Sequence, residues 1–259
     1  MTGGKLKIDI RRKRITQQLR LDGKVTVAGL SRLLEVTPVT VRNDLAELEQ
    51  EGKLIRIQGG AVQVPGSENF SAAQSLTDVL SREKVAIAQM VARLVKDGET
   101  ILINSGTTTE FVAEALGARR NLNVVTNSLA VAKKLGAIAS IRVLLLGGEI
   151  NAQYGFTHGG DAQEQLQRYR ADWAILSVDG VSAQSGVTTY HAQEAVVDRL
   201  MLRAAKLTMI VADHSKIGRA GFTHVADCGP NMCLVTDGGT PEDISALAEM
   251  GVRIVHPNV

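Results

Sequence analysis

A chain of 259 residues, 44% hydrophobic but only 3% aromatic, can bury a sizeable core of Val, Ile, Leu and Ala, which favours a helix-covered parallel sheet over an all-β sandwich. The net charge of +2 divides unevenly: residues 1–60 hold twelve Lys or Arg against seven Asp or Glu, net +5, and the rest holds 17 against 20, net −3, so a basic head suited to a polyanion precedes a slightly acidic body. No stretch has the apolar run of a secretory signal or the roughly 18 apolar residues of a membrane span, so a cytoplasmic protein without membrane contact is expected.

The head reads as three short helices and a hairpin, because apolar residues at helical spacing give way to alternation. Ile8, Arg11, Ile15 and Leu19 open the first helix, which stops at Asp22-Gly23. Thr26, between Val25 and Val27, is suited to cap a second helix carrying Leu30, Leu33 and Leu34. After a break at Glu35-Val36, Thr37 offers its hydroxyl to the free amides of a third helix that begins at Pro38, where a missing N–H is harmless. Val41, Leu45 and Leu48 form one buried stripe, which turns Thr40, Arg42 and Asn43 elsewhere. Glu51-Gly52 ends that helix, and residues 53–57 and 61–64 alternate around Gly59-Gly60 as a wing. The polar run 65–75 reads as a linker, and the chain divides into a head over 1–64, a linker over 65–79 and a body over 80–259.

In the body, helices and apolar runs alternate. A helix over 82–96 precedes a strand over 100–103, then come a helix ending near Gly117, a strand over 122–126, a helix over 128–135 and a strand over 141–146. Apolar runs at 173–178, 207–212 and 232–236 alternate with helical stretches at 192–204 and 241–250. Repeated βα units of this length predict an α/β fold with a mainly parallel, helix-covered sheet.

A recognition helix docks by its apolar side and turns short polar and basic residues toward bases and phosphates. Residues 38–44 fit this description: Arg42 can donate a bidentate pair to guanine, Asn43 can pair with adenine, and Thr40 can meet a thymine methyl or a phosphate. Lys53 and Arg56 on the wing suit phosphate or minor-groove contact. By spacing alone, solvated charges on an ordinary three-helix module remain the lesser alternative reading. Arg14-Ile15, Leu19, Gly23, Val25, Val27, Leu30, Val36-Thr37, Thr40 to Leu45, Leu48, Gly52, Leu54, Arg56 and Gly59-Gly60-Ala61 together resemble the DeoR family of bacterial regulators. The resemblance implies a winged helix-turn-helix on double-stranded operator DNA, with Thr37, Pro38, Thr40, Arg42, Asn43, Lys53 and Arg56 as its contacts. Three residues depart from the family pattern: Thr37 stands for Ser, Asn43 for a second Arg and Gln58 for His. Thr keeps the capping oxygen, whereas Asn43 changes which bases are read.

Asn104-Ser105-Gly106-Thr107-Thr108-Thr109 links a strand to a helix, so its hydroxyls and amides converge as an anion cradle at the C-terminal edge of the sheet. A Gly-Thr turn alone is a weak signal, but other polar strand ends join it: Thr126-Asn127-Ser128, Asp179-Gly180, Gly186 to Thr189, and Asp213 to Lys216, whose ammonium suits a phosphate. With Leu146 to Glu149, Glu194-Ala195 and Arg219 to Phe222, these stretches are similar to the DeoR family's sensor, whose fold resembles ribose-5-phosphate isomerase and glucosamine-6-phosphate deaminase. That resemblance implies a phosphorylated sugar or sugar-alcohol effector held by Asn104, Ser105, Gly106, Thr107, Thr108, Asn127, Asp179, Gly180, Thr188, Glu194 and Lys216. Asn104 departs from the family's usual Asp, which alters effector choice or marks a different hydrogen bond to the sugar.

The five histidines lack metal-ligand spacing, Cys228 and Cys233 read as free thiols, and neither metal nor cofactor is expected. Only His191 and His214 fall beside the effector residues, and Trp173 reads as a packed strand residue. The leading expectation is a repressor that pairs its heads as a homo-oligomer. Two others stay open: a sugar-phosphate isomerase or deaminase using Asp179 and Glu194 as acid and base, and a DNA-coating protein without sequence preference.

Overall fold

The computed structural model describes residues 8–22, 24–50, 53–57, 59–63, 74–152 and 154–257. It divides into two compact units, Met1–Ala73 and Gln74–Val259.

The head opens with α1 (Ile8–Asp22), β1 (Lys24–Thr26) and α2 (Val27–Leu34). There follow α3 (Pro38–Gln50) and a hairpin of β2 (Leu54–Ile57) and β3 (Gly60–Gln63). Thr26 caps α2 by accepting from Gly29 N–H at 3.0 Å, and Thr37 accepts from Thr40 N–H at 3.2 Å, so both expected caps form. Val41, Leu45 and Leu48 are buried together with Ile15, Leu19, Leu30 and Leu34. β1 was not anticipated: it pairs antiparallel with β3, which makes the wing a three-stranded sheet in the order β1-β3-β2. The expected stops at Gly23 and Glu51-Gly52, with residues 64–73 of wing and linker, lie outside the described residues.

The body begins with α4 (Gln74–Leu94), so residues 74–79, expected as the end of the linker, are the first turns of a helix. The chain then runs β4 (Thr100–Ile103), α5 (Thr107–Leu116), β5 (Asn123–Thr126), α6 (Leu129–Gly136) and β6 (Arg142–Leu145). A hairpin of β7 (Glu149–Asn151) and β8 (Phe156–His158) leads to α7 (Gly160–Leu166) and β9 (Ala171–Ser177). Next come β10 (Gly180–Ser182), β11 (Gly186–Thr189), α8 (Ala192–Ala204) and β12 (Ala205–Val211). A single turn at His214–Lys216, β13 (Thr223–Ala226), β14 (Met232–Val235), α9 (Pro241–Glu249) and β15 (Arg253–Val255) complete it.

The main sheet has seven strands in the order β15-β14-β12-β9-β4-β5-β6, every neighbouring pair parallel. Alternation along each strand feeds two layers: Ile101 and Ile103 pack with Ile87, Val91, Val112 and Val131 of α4 to α6, and Leu102 packs with Leu166, Val197, Met201 and Leu247 of α7 to α9. β10, β11 and β13 form a separate antiparallel sheet. Among the described residues, no helix is long and apolar enough to cross a membrane.

Candidate functional site

Chain order reverses between β4 and β9: β5 and β6 extend the sheet on one side, and β12, β14 and β15 on the other. Adjacent loops at such a switch point leave in opposite directions and open a crevice beyond the C-terminal strand ends. Asn104 and Ser105 follow β4, Ser177 ends β9 and Asp179 lies just beyond it. The two ends are tied together. Asn104 donates to Ser177 C=O at 3.0 Å and accepts from Ser177 N–H at 2.9 Å, and Gly106 sits so close to Ser177 that a Cβ there would fall 2.7 Å from its side chain. With a φ of +151°, Gly106 also has a backbone that only glycine adopts without strain. As N-cap of α5 it brings no side-chain acceptor, which leaves the first-turn amides open toward an anion.

Beside this loop lies a chain of hydroxyls and carboxyls. Ser105 donates to Glu194 Oε1 at 2.9 Å; Thr189 approaches Glu194 Oε2 at 2.9 Å and Asp179 Oδ2 at 3.0 Å, and Tyr190 N–H donates to the same Asp179 oxygen at 2.8 Å. Thr189 has one hydroxyl hydrogen and stands between two carboxyl oxygens, so the chain is complete only if one carboxyl holds a proton. Burial identifies Glu194 as that group: it pushes the carboxyl up to about 7 against the pull of the Ser105 and Thr189 hydrogen bonds, and the charge of Asp179 adds to the rise. One turn further along α8, Asp198 is fully buried and is held well above the usual carboxylate range by burial and then by Glu194. It accepts from Asn104 Nδ2 at 3.1 Å through one oxygen, and its other oxygen has no hydrogen-bond partner among the described residues.

The β7–β8 hairpin adds aromatic groups. Tyr154 lies 4.2 Å from the ring of His191, the N-cap residue of α8. Burial raises the Tyr154 hydroxyl, helped by Asp179 and Glu194, and lowers His191 despite Asp179, so both rings stay neutral near pH 7. Asn127 donates to Thr157 C=O at 3.2 Å. Among the described residues, three buried polar atoms here lack a hydrogen-bond partner: Asn127 Oδ1, Tyr154 Oη and His191 Nε2. Buried polar atoms are rarely left so unless a water or ligand meets them.

Of the expected effector residues, hydrogen bonds thus join Ser105 and Glu194 and, through Thr189, Asp179. Asn104 is fully buried with its amide committed to Ser177 and Asp198, so it shapes the loop. The Thr188 hydroxyl is likewise committed, donating to Gly180 C=O at 3.0 Å and accepting from Gly221 N–H at 2.7 Å. Its neighbour Thr189 is the hydroxyl that meets the carboxyls. Among the described residues no hydrogen bond links Thr107, Thr108 or Lys216 to that chain; Thr107 is exposed, Thr108 buried, and Lys216 lies in the turn after β12. That segment is pinned to the small sheet by Gly218 N–H donating to Val181 C=O at 2.9 Å. Sequence reasoning missed Asp198 and Tyr154. Asp198 carried a signal, since four residues after Glu194 it shares that residue's helix face, whereas Tyr154 carried none.

In the head, α3 turns Val39, Arg42 and Asn43 outward at i, i+3 and i+4, with Val39 62% exposed. Thr40 is half-buried and its hydroxyl lies 2.9 Å from that of Thr37, so it belongs to the cap. Asp44 points inward, where Arg11 of α1 grips it: Nη2 donates to Oδ1 at 2.9 Å and Nε to Oδ2. Arg56, expected on phosphate, donates through Nε to Glu49 Oε2 at 2.7 Å, and Lys53 is exposed.

A family model of the DeoR-like helix-turn-helix domain matches residues 11–65, and one of the DeoR C terminal sensor domain matches residues 80–238. The repressor GlcR of Bacillus subtilis is 32% identical, across 85% of this chain and 84% of its own. The glycerol-3-phosphate regulon repressor of Escherichia coli K12 is 30% identical, across 89% of this chain and 91% of its own. Among solved structures, ribose 5-phosphate isomerase A of Methanocaldococcus jannaschii aligns over 51% of this chain and 52% of its own at 17% identity, with a TM-score of 0.38. On the two domain matches and these relatives, the chain belongs to the DeoR family of transcriptional regulators.

Proposed function

We propose that this regulator represses a sugar or sugar-alcohol catabolic operon and that a phosphorylated sugar or sugar alcohol sets its grip on the operator. The observation that carries the effector half is the trio of unpartnered buried atoms, Asn127 Oδ1, Tyr154 Oη and His191 Nε2, beside the Ser105–Glu194–Thr189–Asp179 chain. A polyol offers the alternating donors and acceptors such a surface lacks, and its phosphate takes the open amides of α5 with Gly106, Thr107, Thr108 and Lys216. Gly180 lines the same strand end. The relatives' names support the class, since one is a glycerol-3-phosphate regulon repressor.

In the head, α3 enters the major groove with Arg42 and Asn43 on base edges, Thr37 and Pro38 set its N-terminus, and Lys53 with Arg56 follows phosphates. The protein works in the cytoplasm as a homo-oligomer whose paired heads read repeated half-sites. An effector changes occupancy only if it prefers one arrangement of heads over another. Titrating an operator complex with a panel of sugar phosphates tests the reading: a saturable shift in DNA affinity with at least one compound supports it, and unchanged affinity across the panel refutes it.

One observation favours a second reading. A carboxyl poised near neutrality, as Glu194 is, suits proton transfer in a sugar-phosphate isomerase. Turnover of a sugar phosphate by the intact chain, abolished by Glu194→Gln, would establish that activity.

A further inference from the structure

Three side chains from distant parts of the sequence, outside the Ser105–Glu194–Thr189–Asp179 chain, meet where α4 passes the ends of β12 and β14. Nδ1 of His214, just after β12, lies 2.8 Å from Asp237 Oδ2, just after β14, and 3.7 Å from Glu83 Oε2 on α4. We propose that Glu83, His214 and Asp237 form a binding site for a divalent metal ion of the zinc or manganese class.

The geometry suits three ligands around one ion. The three ligand atoms lie within 4.8 Å of one another. Metal–ligand bonds of about 2.0–2.2 Å put neighbouring ligands roughly 3.0–3.5 Å apart, so only small side-chain shifts would seat an ion. Asp237 is already oriented, because its second oxygen accepts from His214 N–H at 2.7 Å, the kind of outer support that fixes a metal ligand.

A hydrogen-bonding explanation of the cluster leaves one atom over. The Nδ1 position can carry a single proton, which Asp237 at the shorter distance takes, while Glu83 Oε2 is buried and accepts no hydrogen bond among the described residues. A buried carboxylate oxygen 3.7 Å from a histidine nitrogen, without a donor among the described residues, is an atom that a shared cation would satisfy. Two carboxylates and a neutral imidazole supply a charge of −2 and a mixed O/N set, which suits zinc or manganese rather than a thiolate-seeking ion. The His214 side chain is 50% exposed, so solvent can reach the remaining coordination positions. The ion would take the Nδ1 lone pair, with the proton of the neutral imidazole shifted to Nε2.

The full chain, stripped with EDTA and dialysed, is titrated calorimetrically with ZnCl2 and MnCl2, with Co2+ as an absorbance probe. One ion per chain is expected, with a cobalt spectrum free of thiolate charge transfer, which separates this site from Cys228 and Cys233. Glu83→Gln should weaken binding at least tenfold and His214→Ala should abolish it. Trp173 fluorescence reports whether each variant is folded. Absence of saturable binding by zinc and manganese, or unchanged binding in folded Glu83→Gln, overturns the proposal.

Discussion

Replacing Glu194 with Gln keeps a side chain of the same shape that still accepts from Ser105 or Thr189, but removes the titration. Burial raises the carboxyl from 4.5 to about 7, so between those values the folded state binds a proton that the unfolded chain has released. Stability contributed by the protonated form is therefore present below about pH 4.5 and is lost as pH rises through 7. A difference of about 2.5 units at ~1.4 kcal/mol per unit makes the ionised side chain cost about 3 kcal/mol above pH 8. Glu194→Gln should thus match the wild type near pH 5 and exceed it by about 3 kcal/mol at pH 8.5, roughly 6–12 °C in melting temperature. The assay is specific to the body, because the single tryptophan is Trp173 on β9. Its indole donates to Glu99 at 3.2 Å, so its emission follows unfolding of that sheet alone. Melting curves of the two proteins that stay parallel from pH 5 to 8.5 would refute the assignment of the proton to Glu194.

Arg42→Ala should relax base preference at one operator position by about 1–3 kcal/mol, whereas Lys53→Ala should weaken all sequences alike; competition binding on a randomised operator separates them. Arg11→Ala leaves Asp44 buried without its strongest partner and should destabilise the head by about 3–5 kcal/mol, read by amide exchange in α3. Tyr154→Phe removes an unpartnered buried hydroxyl, so the body should melt no lower while effector affinity falls; an equal fall in both would make the hydroxyl merely structural. Gly106→Ala drives a methyl group to within 2.7 Å of Ser177 and should cost about 1–3 kcal/mol of stability, with loss of effector-dependent DNA release or tightening in the operator assay.

The parts of the fold that were legible in the sequence are those with a period. The stripe Val41, Leu45 and Leu48, the caps at Thr26 and Thr37, and the apolar β4, β5, β9, β12 and β14 all follow from local spacing and burial. β7, β8, β10 and β13 are three or four residues long and polar in part, too short to show alternation, and their pairing depends on neighbours far along the chain. α4 was foreseen from Arg82 but begins at Gln74; Leu76, Val79 and Leu80 at i, i+3 and i+4 already carried the helical period, next to the polar run that reads as linker. The site was legible at the level of loops and not of side chains. Strand ends rich in Ser, Thr, Asn and Asp pointed to the rim where the hydroxyl and carboxyl chain forms, yet which hydroxyl faces the acids, Thr189 rather than Thr188, turns on strand pleat and on the bulge between Val187 and Thr188.

The departure at position 104 takes its meaning from a residue that no local pattern connects with it. An aspartate there could still accept from Ser177 N–H, but it could donate neither to Ser177 C=O nor to Asp198, the two bonds that Asn104 Nδ2 makes. It would also set a third carboxyl beside Asp198 and Glu194, both of which already resist ionisation. Each added negative charge in so buried a place raises the others. An amide at 104 therefore keeps the β4 and β9 ends together and gives Asp198 a donor without adding charge. The fully buried position of Asn104 fits that internal role, and in the function proposed above recognition of the effector falls to Ser105, Gly106 and the carboxyls that share Thr189.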